Sequence, residues 1–352
     1  MDLKDNTKPL FGIWSYDSKN RHKFDSTYKE PPKPKINNSK HVQSAQIYVE
    51  KHFSKNFGDF TNFIYPVDFS SSKKLLNKFI KNSLITFGKY EDASDKNIPF
   101  GSHSLLSSSI NIGLISVQYI VKKIINKFNK LSLLKQKQII NSVEGFIRQI
   151  IGWRSYVRFI YKFHGATMYK ENRLAHTNKV SSHWFDGTTN IPPIDNIINK
   201  VHTYAYAHHI ERLMFLGNFA LISQINPQSI YKWFMICFID SYEWVMIPNI
   251  MGMSQYSSKS IQMMTRPYVC SSNYIKTMSN YKTNSYDKIS LDKEYYWNEI
   301  LDSLYYNFIN TNKKLLSKIY STAILVKHFE SKNPNEKNKL SNIAKQYISL
   351  YK

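Results

Sequence analysis

The amino-acid sequence predicts an all-α protein. Residues 72–87 place apolar side chains three and four positions apart, the spacing of one face of a helix. No alternating strand series and no βαβ repeat interrupts the chain after residue 41. With 352 residues, of which 42% are hydrophobic and 15% aromatic, the chain is long and apolar enough to bury a large core.

Successive segments predict the order of the elements. Residues 1–40 contain the run PPKP and many Ser, Asn and Lys residues, which predicts a weakly ordered connector. Residues 41–352 are expected to form one helical domain. The helix over 72–87 has Ser71 or Ser72 as a candidate cap and is expected to end at Gly88. Further helices are expected over 116–128, 135–161, 193–222, 227–245 and 292–301.

The charge of the chain indicates a polyanionic partner. Its formal net charge is +23 and its isoelectric point is about 9.6. Lys and Arg side chains bind phosphates with release of counterions, so a nucleic acid fits this charge best, and DNA binding is expected. The alternative is that the many Lys, Asn and Ile residues come from an AT-rich coding genome and that the lysines form a solvated surface.

The cysteines and the apolar runs indicate the compartment. Cys237 and Cys270 leave little scope for a disulfide framework and have no metal-ligand spacing, which favours a reducing compartment. No apolar run has the length of a membrane span, and the first nine residues contain no secretory apolar region. A soluble intracellular protein without a membrane partner is therefore expected.

The run YAHHIERLMFLGNF at 206–219 places two adjacent imidazoles in an apolar helical pattern. Arg212 falls one turn after His208 and His209, so the three groups are expected in one buried region. Burying this much potential charge is costly without an anionic partner. A single buried His is usually a hydrogen-bonded core residue, but two in tandem beside an Arg favour a functional site.

Two other segments carry candidate binding residues. The hydroxyls of Ser104 and Ser107 lie at a predicted helix start, where free amides suit phosphate oxygens, although serine caps without a ligand are common. In the helix at 144–158, Trp153 and Arg154 could hold a planar ring and a phosphate. The alternative is a core helix whose arginines reach the surface along their aliphatic stems.

Asp240 lies among aromatic residues and therefore requires a partner. Arg212 is the natural candidate for an ion pair, and the carboxylate could also accept hydrogen bonds from a ligand.

Eight runs in order along the chain resemble the bacterial 6-4 photolyase branch of the photolyase/cryptochrome family, and they cover about 11–300. The resemblance implies a helical FAD-binding domain that repairs ultraviolet photoproducts in DNA by light-driven electron transfer. The runs are GIWSYD at 12–17, FGKYEDA at 87–93, HSLLS at 103–107, EGFIRQIIGWR at 144–154, the run at 206–219, DSYEW at 240–244, PN at 248–249 and GMSQ at 252–255.

The resemblance also implies roles for individual residues. His209 is expected to donate a proton to the photoproduct, with His208 orienting it. Asn249 is expected near the reactive edge of the flavin ring, and Trp184 and Trp233 in an electron-transfer route. The residues expected to bind FAD are Ser104, Leu105, Leu106, Ser107, Gln149, Trp153, Arg154, Arg212, Asp240 and Asn249.

The chain departs from the family pattern in several places. Relatives begin with an α/β antenna domain, whereas this chain begins where that domain has ended, so a separate chain is expected to supply the antenna, or the protein works without one. Met246 replaces an acidic residue and Phe234 a tyrosine. The four cysteines that would bind an iron-sulfur cluster are missing, with Lys282 at one of their positions, so no cluster and no other metal is expected.

Three functions follow from these observations. The first is a DNA photolyase, a carbon-carbon lyase acting on ultraviolet-damaged DNA. The second is a flavin light sensor of cryptochrome type. The third is an inactive remnant of a split photolyase gene. The tandem histidines favour the first, and the missing antenna domain and cluster favour the other two.

Overall fold

Helices form nearly all of the regular structure in the computed structural model, which describes residues 8–283 and 288–351. Within these ranges the strands are limited to an antiparallel pair, β1 (Lys288–Ser290) and β2 (Glu294–Tyr296), with Ile289 opposite Tyr295. The predicted all-α fold is therefore confirmed. The chain divides into two compact units, unit 1 (Met1–Tyr156) and unit 2 (Val157–Lys352).

Unit 1 is a set of helices around one apolar core. The core contains Leu76, Phe79, Phe87, Ile124 and Phe146, all buried. A π-helical segment, Arg148–Trp153, directly follows the last complete helix of the unit. The helices are α1 (Lys40–Phe53), α2 (Phe69–Asn82), α3 (Leu84–Tyr90), α4 (Ser107–Asn111), α5 (Val117–Asn129) and α6 (Leu133–Ile147), and α7 (Arg154–Lys170) begins at its end.

The helix predicted over 72–87 is two helices, and the prediction that Gly88 ends it is wrong. The side chain of Asp68 caps α2 by accepting from Ser71 N at 2.7 Å. The chain breaks at Ser83 and continues as α3 through Gly88. Glycine is required there by packing, because an added Cβ would lie 2.7 Å from the Cα of Ser142 in α6.

The segment before α1 packs in part against the helices of unit 1, to which it belongs. Two short 3-10 turns, Leu10–Gly12 and Asp17–Lys19, flank the buried Tyr16. The side chain of Asn20 is fully buried and accepts from Asn141 Nδ2 at 3.0 Å. The domain boundary expected at residue 40 stays a prediction.

Unit 2 is built around α14, which packs along α17. Trp297, Leu304 and Phe308 of α14 are fully buried. None of the helices among the described residues combines the length and apolar character that a bilayer crossing requires. The α-helices after α7 are α8 (His183–Asp186), α9 (Pro192–Tyr204), α10 (Asn218–Ile222), α11 (Pro227–Cys237), α12 (Glu243–Met246), α13 (Ser272–Met278), α14 (Trp297–Thr311), α15 (Lys313–Leu316), α16 (Tyr320–Glu330) and α17 (Pro334–Leu350).

The three helices predicted entirely within unit 2 are interrupted or begin later than expected. The one over 193–222 stops at Ala205, whose backbone is left-handed with φ of 48°. The one over 227–245 is broken between α11 and α12. The one over 292–301 begins as β2 and becomes helical only at Trp297. Apolar periodicity predicts which side of a segment is buried, but it does not locate breaks of a few residues.

Candidate functional site

The first group of predicted site residues lies in unit 1, at the turn that leads into α4. Leu105 has a left-handed backbone with φ of 56°, and Leu105 and Leu106 are buried. The hydroxyl of Ser104 accepts from Leu106 N at 3.4 Å. A leucine in this backbone conformation is held by its surroundings, and such positions are common at ligand sites. The two buried leucines thus fix the turn, while Ser104 and Ser107 stay partly accessible.

Ser108 is a candidate that the sequence interpretation missed. The residue is 5% exposed, and its Oγ is buried without a hydrogen-bond partner among the described residues. The hydroxyl of its neighbour Ser109 does have a hydrogen-bond partner, because Ser72 Oγ donates to Ser109 Oγ at 3.3 Å. Leaving a buried hydroxyl unsatisfied costs about 1–3 kcal/mol. Three consecutive serines at 107–109 were the feature of the sequence that could have indicated Ser108 as a binding residue.

Arg154 joins this group within unit 1. Its Nη1 donates to Asn111 Oδ1 at 3.0 Å, at the last residue of α4. Gln149 and Trp153 lie in the π-helical segment before it, both half-buried, and Trp153 packs edge-on against Tyr156. The structure therefore brings Arg154 to the helix that the serine turn precedes.

The second group lies in unit 2 and centres on the ion pair predicted between Arg212 and Asp240, which is confirmed. Arg212 Nη1 and Nη2 donate to the two carboxylate oxygens at 2.9 and 3.1 Å. Its Nε donates to the carbonyl of Ala207 at 2.6 Å, and the guanidinium lies 4.3 Å from the ring centroid of Phe238. Each of the three guanidinium nitrogens thus donates a hydrogen bond, so the pair is rigid.

The two histidines differ in exposure, which contradicts the expectation of one shared buried region. His208 is 5% exposed, whereas His209 is exposed to solvent. The helix starts only at His209, and a π-helical segment, Glu211–Gly217, follows it. A π-helical turn is wider than an α-turn, so residues spaced for an α-helix no longer share a face.

Glu211 is the anionic partner of His208 and was missed. The residue is 1% exposed, and its Oε2 accepts from the backbone N–H of His208 at 3.1 Å. The same carboxylate binds Lys200 Nζ, and its Oε1 lies 3.4 Å from His208 Nε2. An acidic residue three positions after a helix start is the usual capping pattern, and that spacing was visible in the sequence.

Asn249 lies in the third π-helical segment of the described chain, Ile247–Ser254. It is half-buried, and its Nδ2 donates to Val245 O at 2.7 Å. Each of the three π-helical segments carries at least one predicted site residue, and π-bulges are frequent at functional sites. This common feature could not be read from apolar periodicity.

Trp184 and Trp233 form a buried aromatic pair. Their ring centroids are 5.4 Å apart, and Trp233 Nε1 donates to the carbonyl of Trp184 at 2.9 Å. Trp233 in turn lies 5.8 Å from Phe238, the ring beneath Arg212. Phe234 stacks on Phe238 at 5.0 Å. Aromatic rings thus run without a gap from Trp184 to the Arg212–Asp240 pair.

The two cysteines are poorly suited to bind a metal. Burial raises the pKa of Cys237 to about 12, and burial with the nearby Asp302 carboxylate raises the pKa of Cys270 to about 12. Both thiols therefore keep their protons at neutral pH, whereas metals bind the thiolate.

Comparison with known proteins identifies relatives. Residues 2–65 match the family described as deoxyribodipyrimidine photo-lyase-related protein. The (6-4) photolyase of Agrobacterium fabrum is 34% identical over 324 residues, which are 91% of this chain and 62% of that protein. Two uncharacterized proteins of Acanthamoeba polyphaga mimivirus are 37% and 43% identical over 33% and 28% of the chain, covering 84% and 72% of their own lengths.

Solved structures are similar at lower identity. A bacterial class III photolyase from Agrobacterium tumefaciens has a TM-score of 0.47 and 16% identity, covering 69% of this chain and 48% of that one. A Synechocystis cryptochrome has a TM-score of 0.44 and 15% identity, covering 61% and 46% of the two chains. The chain thus spans less than two thirds of the (6-4) photolyase, yet the sequence match to it extends along nine tenths of the chain. The predicted resemblance to a 6-4 photolyase is therefore confirmed as sequence homology to that protein.

Proposed function

We propose that the chain is a light-dependent DNA repair flavoprotein that acts on 6-4 photoproducts. The observation that carries this proposal is the match to a (6-4) photolyase over 91% of the chain. The tandem histidines and the Arg212–Asp240 ion pair of this chain supply groups that suit such a site. DNA is the proposed partner, and the net charge of +23 suits its phosphates.

The residues present fit FAD. The orphan hydroxyl of Ser108, next to Ser107 in the serine turn, lacks the hydrogen-bond partner that a phosphate oxygen would provide. In unit 2, both carboxylate oxygens of Asp240 accept from Arg212, which fixes the orientation of an acceptor group for a ring N–H. Phosphate acceptors and a ring N–H donor are the groups that FAD presents.

We assign the binding roles accordingly. Ser104, Ser107 and Ser108 would hold the pyrophosphate, with Arg154 supplying the positive charge. Asp240, held by Arg212, would accept from the flavin ring, and Asn249 would bind its reactive edge. When bound, a reduced flavin supplies the excited-state electron for the repair of a base taken out of the duplex.

The histidines would handle the proton. His209 is the exposed imidazole and can meet a lesion that enters from solvent. His208 is buried and lies against Glu211, so it would orient His209 or tune its protonation. The two ring centroids are 6.0 Å apart. An imidazole suits this role because its ordinary pKa lies near neutral pH.

The test is repair by the purified chain. The chain is loaded with FAD, reduced chemically, mixed with duplexes that carry a 6-4 photoproduct or a cyclobutane dimer, and illuminated with blue light. We expect restoration of the 6-4 lesion alone, measured by chromatography of the digested DNA. Chemical reduction removes the need for the Trp184 and Trp233 route and for an antenna.

Two other results would each replace the proposal. A stable flavin photoreduction without repair of either lesion would favour a light sensor. A chain that neither binds FAD nor discriminates damaged DNA would favour the inactive remnant.

A further inference from the structure

Helices α5 and α6 of unit 1 form a hairpin whose surface is strongly basic. Six lysines lie on the second half of α5, the turn and the start of α6, and all are exposed. We call this surface the basic hairpin, and it consists of Lys122, Lys123, Lys127, Lys130, Lys135 and Lys137. Residues 96–143 contain seven lysines and no aspartate or glutamate.

The packing of α5 directs its three lysines, Lys122, Lys123 and Lys127, toward solvent. Ile120, Ile124 and Phe128 are buried in the core of unit 1, so the intervening positions face solvent. The turn is fixed because the side chain of Gln136 donates to the carbonyls of Phe128 and Leu131, both at 3.2 Å. The basic hairpin therefore presents its charges on a rigid support.

Carboxylates do not neutralise this surface. None of the six lysines forms an ion pair with an acidic residue in the described part of the chain. Lys137 lies over the ring of Phe11 instead, at 5.6 Å. The next acidic residue along the chain, Glu144, is bound to Arg148 at 3.1 Å. By contrast, Lys313 and Lys332 of unit 2 are paired with glutamates.

We propose that the basic hairpin binds the sugar-phosphate backbone of duplex DNA. This inference rests on the proposed function, in which DNA is the partner, and it adds the surface that holds it. Residues 96–143 contain no arginine, whose planar fork is well suited to reading guanine with two parallel hydrogen bonds. Lysines act as point charges toward phosphates, so the contact is independent of base sequence and positions the duplex.

An anionic membrane is the competing partner, and the structure favours DNA over it. Leu133 and Leu134 are exposed at the start of α6, 67% and 69% respectively. A helix that lies in a membrane interface inserts a whole apolar face, but the apolar face of α5 is buried in the protein core. Two leucines leave little apolar area for insertion.

The experiment compares two triple variants of the full chain with equal loss of charge. The test variant is Lys127→Gln, Lys130→Gln and Lys135→Gln, and the control is Lys318→Gln, Lys327→Gln and Lys339→Gln, three exposed lysines of unit 2. Binding to an undamaged fluorescent duplex is measured in the dark by anisotropy over a range of salt. Circular dichroism and thermal melting verify that both variants fold.

The test variant should weaken DNA binding and lower the slope of log K against log salt by about 3, one for each lost phosphate contact. The control should keep the parental slope. As a second variant, Lys122→Gln with Lys123→Gln should lower the slope by about 2.

Equal slopes for the parent and the test variant would overturn the proposal while leaving DNA as the partner. A parent that binds no DNA would overturn the proposed function as well. Tighter binding to phosphatidylglycerol vesicles than to DNA, lost in the test variant, would assign the surface to membranes instead.

Discussion

At the scale of single residues, the tandem histidines show how neighbours in sequence acquire different chemistry. His208 is buried, and the Glu211 carboxylate binds its backbone N–H and lies near its ring. His209 begins the helix and faces solvent. The buried imidazole is held in a fixed environment, whereas the exposed one can meet a substrate that arrives from solvent.

We predict that His209→Ala lowers the rate of 6-4 photoproduct repair about 100-fold or more, the usual contribution of a general acid. FAD and DNA binding should persist, because the proposed phosphate and ring contacts belong to Ser104, Ser107, Arg154 and Asp240. The repair rate is measured under blue light after chemical reduction of the flavin. Flavin absorbance measures FAD binding, and titration with DNA measures DNA binding.

His41→Ala is the matched control, since His41 is an exposed histidine near the start of α1. It should repair at the parental rate. Parental repair by His209→Ala would show that the proton-donor assignment is wrong, and loss of repair in His208→Ala alone would transfer the role to the buried imidazole.

Asp195 predicts a pH dependence of stability. Burial raises its pKa to about 6, although Thr189 N and Oγ1 donate to its Oδ1 at 2.8 and 2.7 Å. A raised carboxyl pKa means that the folded chain binds the proton more tightly than the unfolded chain. This group therefore lowers stability progressively as the pH rises from about 4 to about 6, and the loss is complete above that range.

Asp195→Asn keeps an oxygen acceptor for Thr189 but cannot ionise. We expect it to raise the free energy of unfolding by about 1–3 kcal/mol at pH 7.5, given about 1.4 kcal/mol per pKa unit, and to give no gain near pH 4. Urea denaturation at both pH values measures this. A gain of equal size at pH 4 would mean that the effect does not come from ionisation.

At the scale of elements, apolar periodicity predicted which faces of the helices are buried. It did not predict where an α-helix becomes π-helical or breaks. The predicted helix over 135–161 is continuous, yet it contains the π-helical segment Arg148–Trp153. The left-handed backbone of Ala205 and the break at Ser83 likewise leave no local signal in these residue types. The π-helical segments carry site residues, so the geometry of the site was harder to predict than its composition.

Gly88 provides a test of the contact between α3 and α6. An added Cβ would lie 2.7 Å from Ser142 Cα and 2.8 Å from Ser142 N, which are backbone atoms that cannot rotate away. Gly88→Ala must therefore push the helices apart, and we expect a loss of about 1–3 kcal/mol in the free energy of unfolding.

Gly152→Ala is the control for this prediction, because its Cβ would meet only Arg148 Cγ at an ordinary 3.7 Å. Alanine favours a helix over glycine, so this variant should be neutral or slightly more stable. Denaturant midpoints of the two variants give the comparison. Equal stability of the Gly88 variant and the parent would contradict the packing interpretation.

At the scale of the whole molecule, the all-α class, the similarity to a (6-4) photolyase and the Arg212–Asp240 pair could be predicted from the sequence. The ion pair was predictable because a buried carboxylate among aromatics requires a cation, and the chain offers one nearby. Ser108, Lys200 and Glu211 were missed because their importance depends on burial, which common residue types do not reveal. The division into two units also has no marker in composition at residue 156.

The last prediction concerns the cofactors of the whole chain. We expect the purified protein to bind FAD non-covalently in a one-to-one ratio and to bind no iron. A four-iron cluster needs four thiolates, and the chain has two cysteines, each with a pKa raised to about 12 by burial. The flavin released by acid precipitation and its absorption bands measure the FAD content, and elemental analysis measures the iron content.

Ser108→Val removes the hydroxyl that has no partner. It should weaken FAD binding without unfolding the chain, since it leaves no new unsatisfied group. Stoichiometric iron would refute the cluster prediction, and unchanged FAD affinity in Ser108→Val would remove that hydroxyl from the binding site.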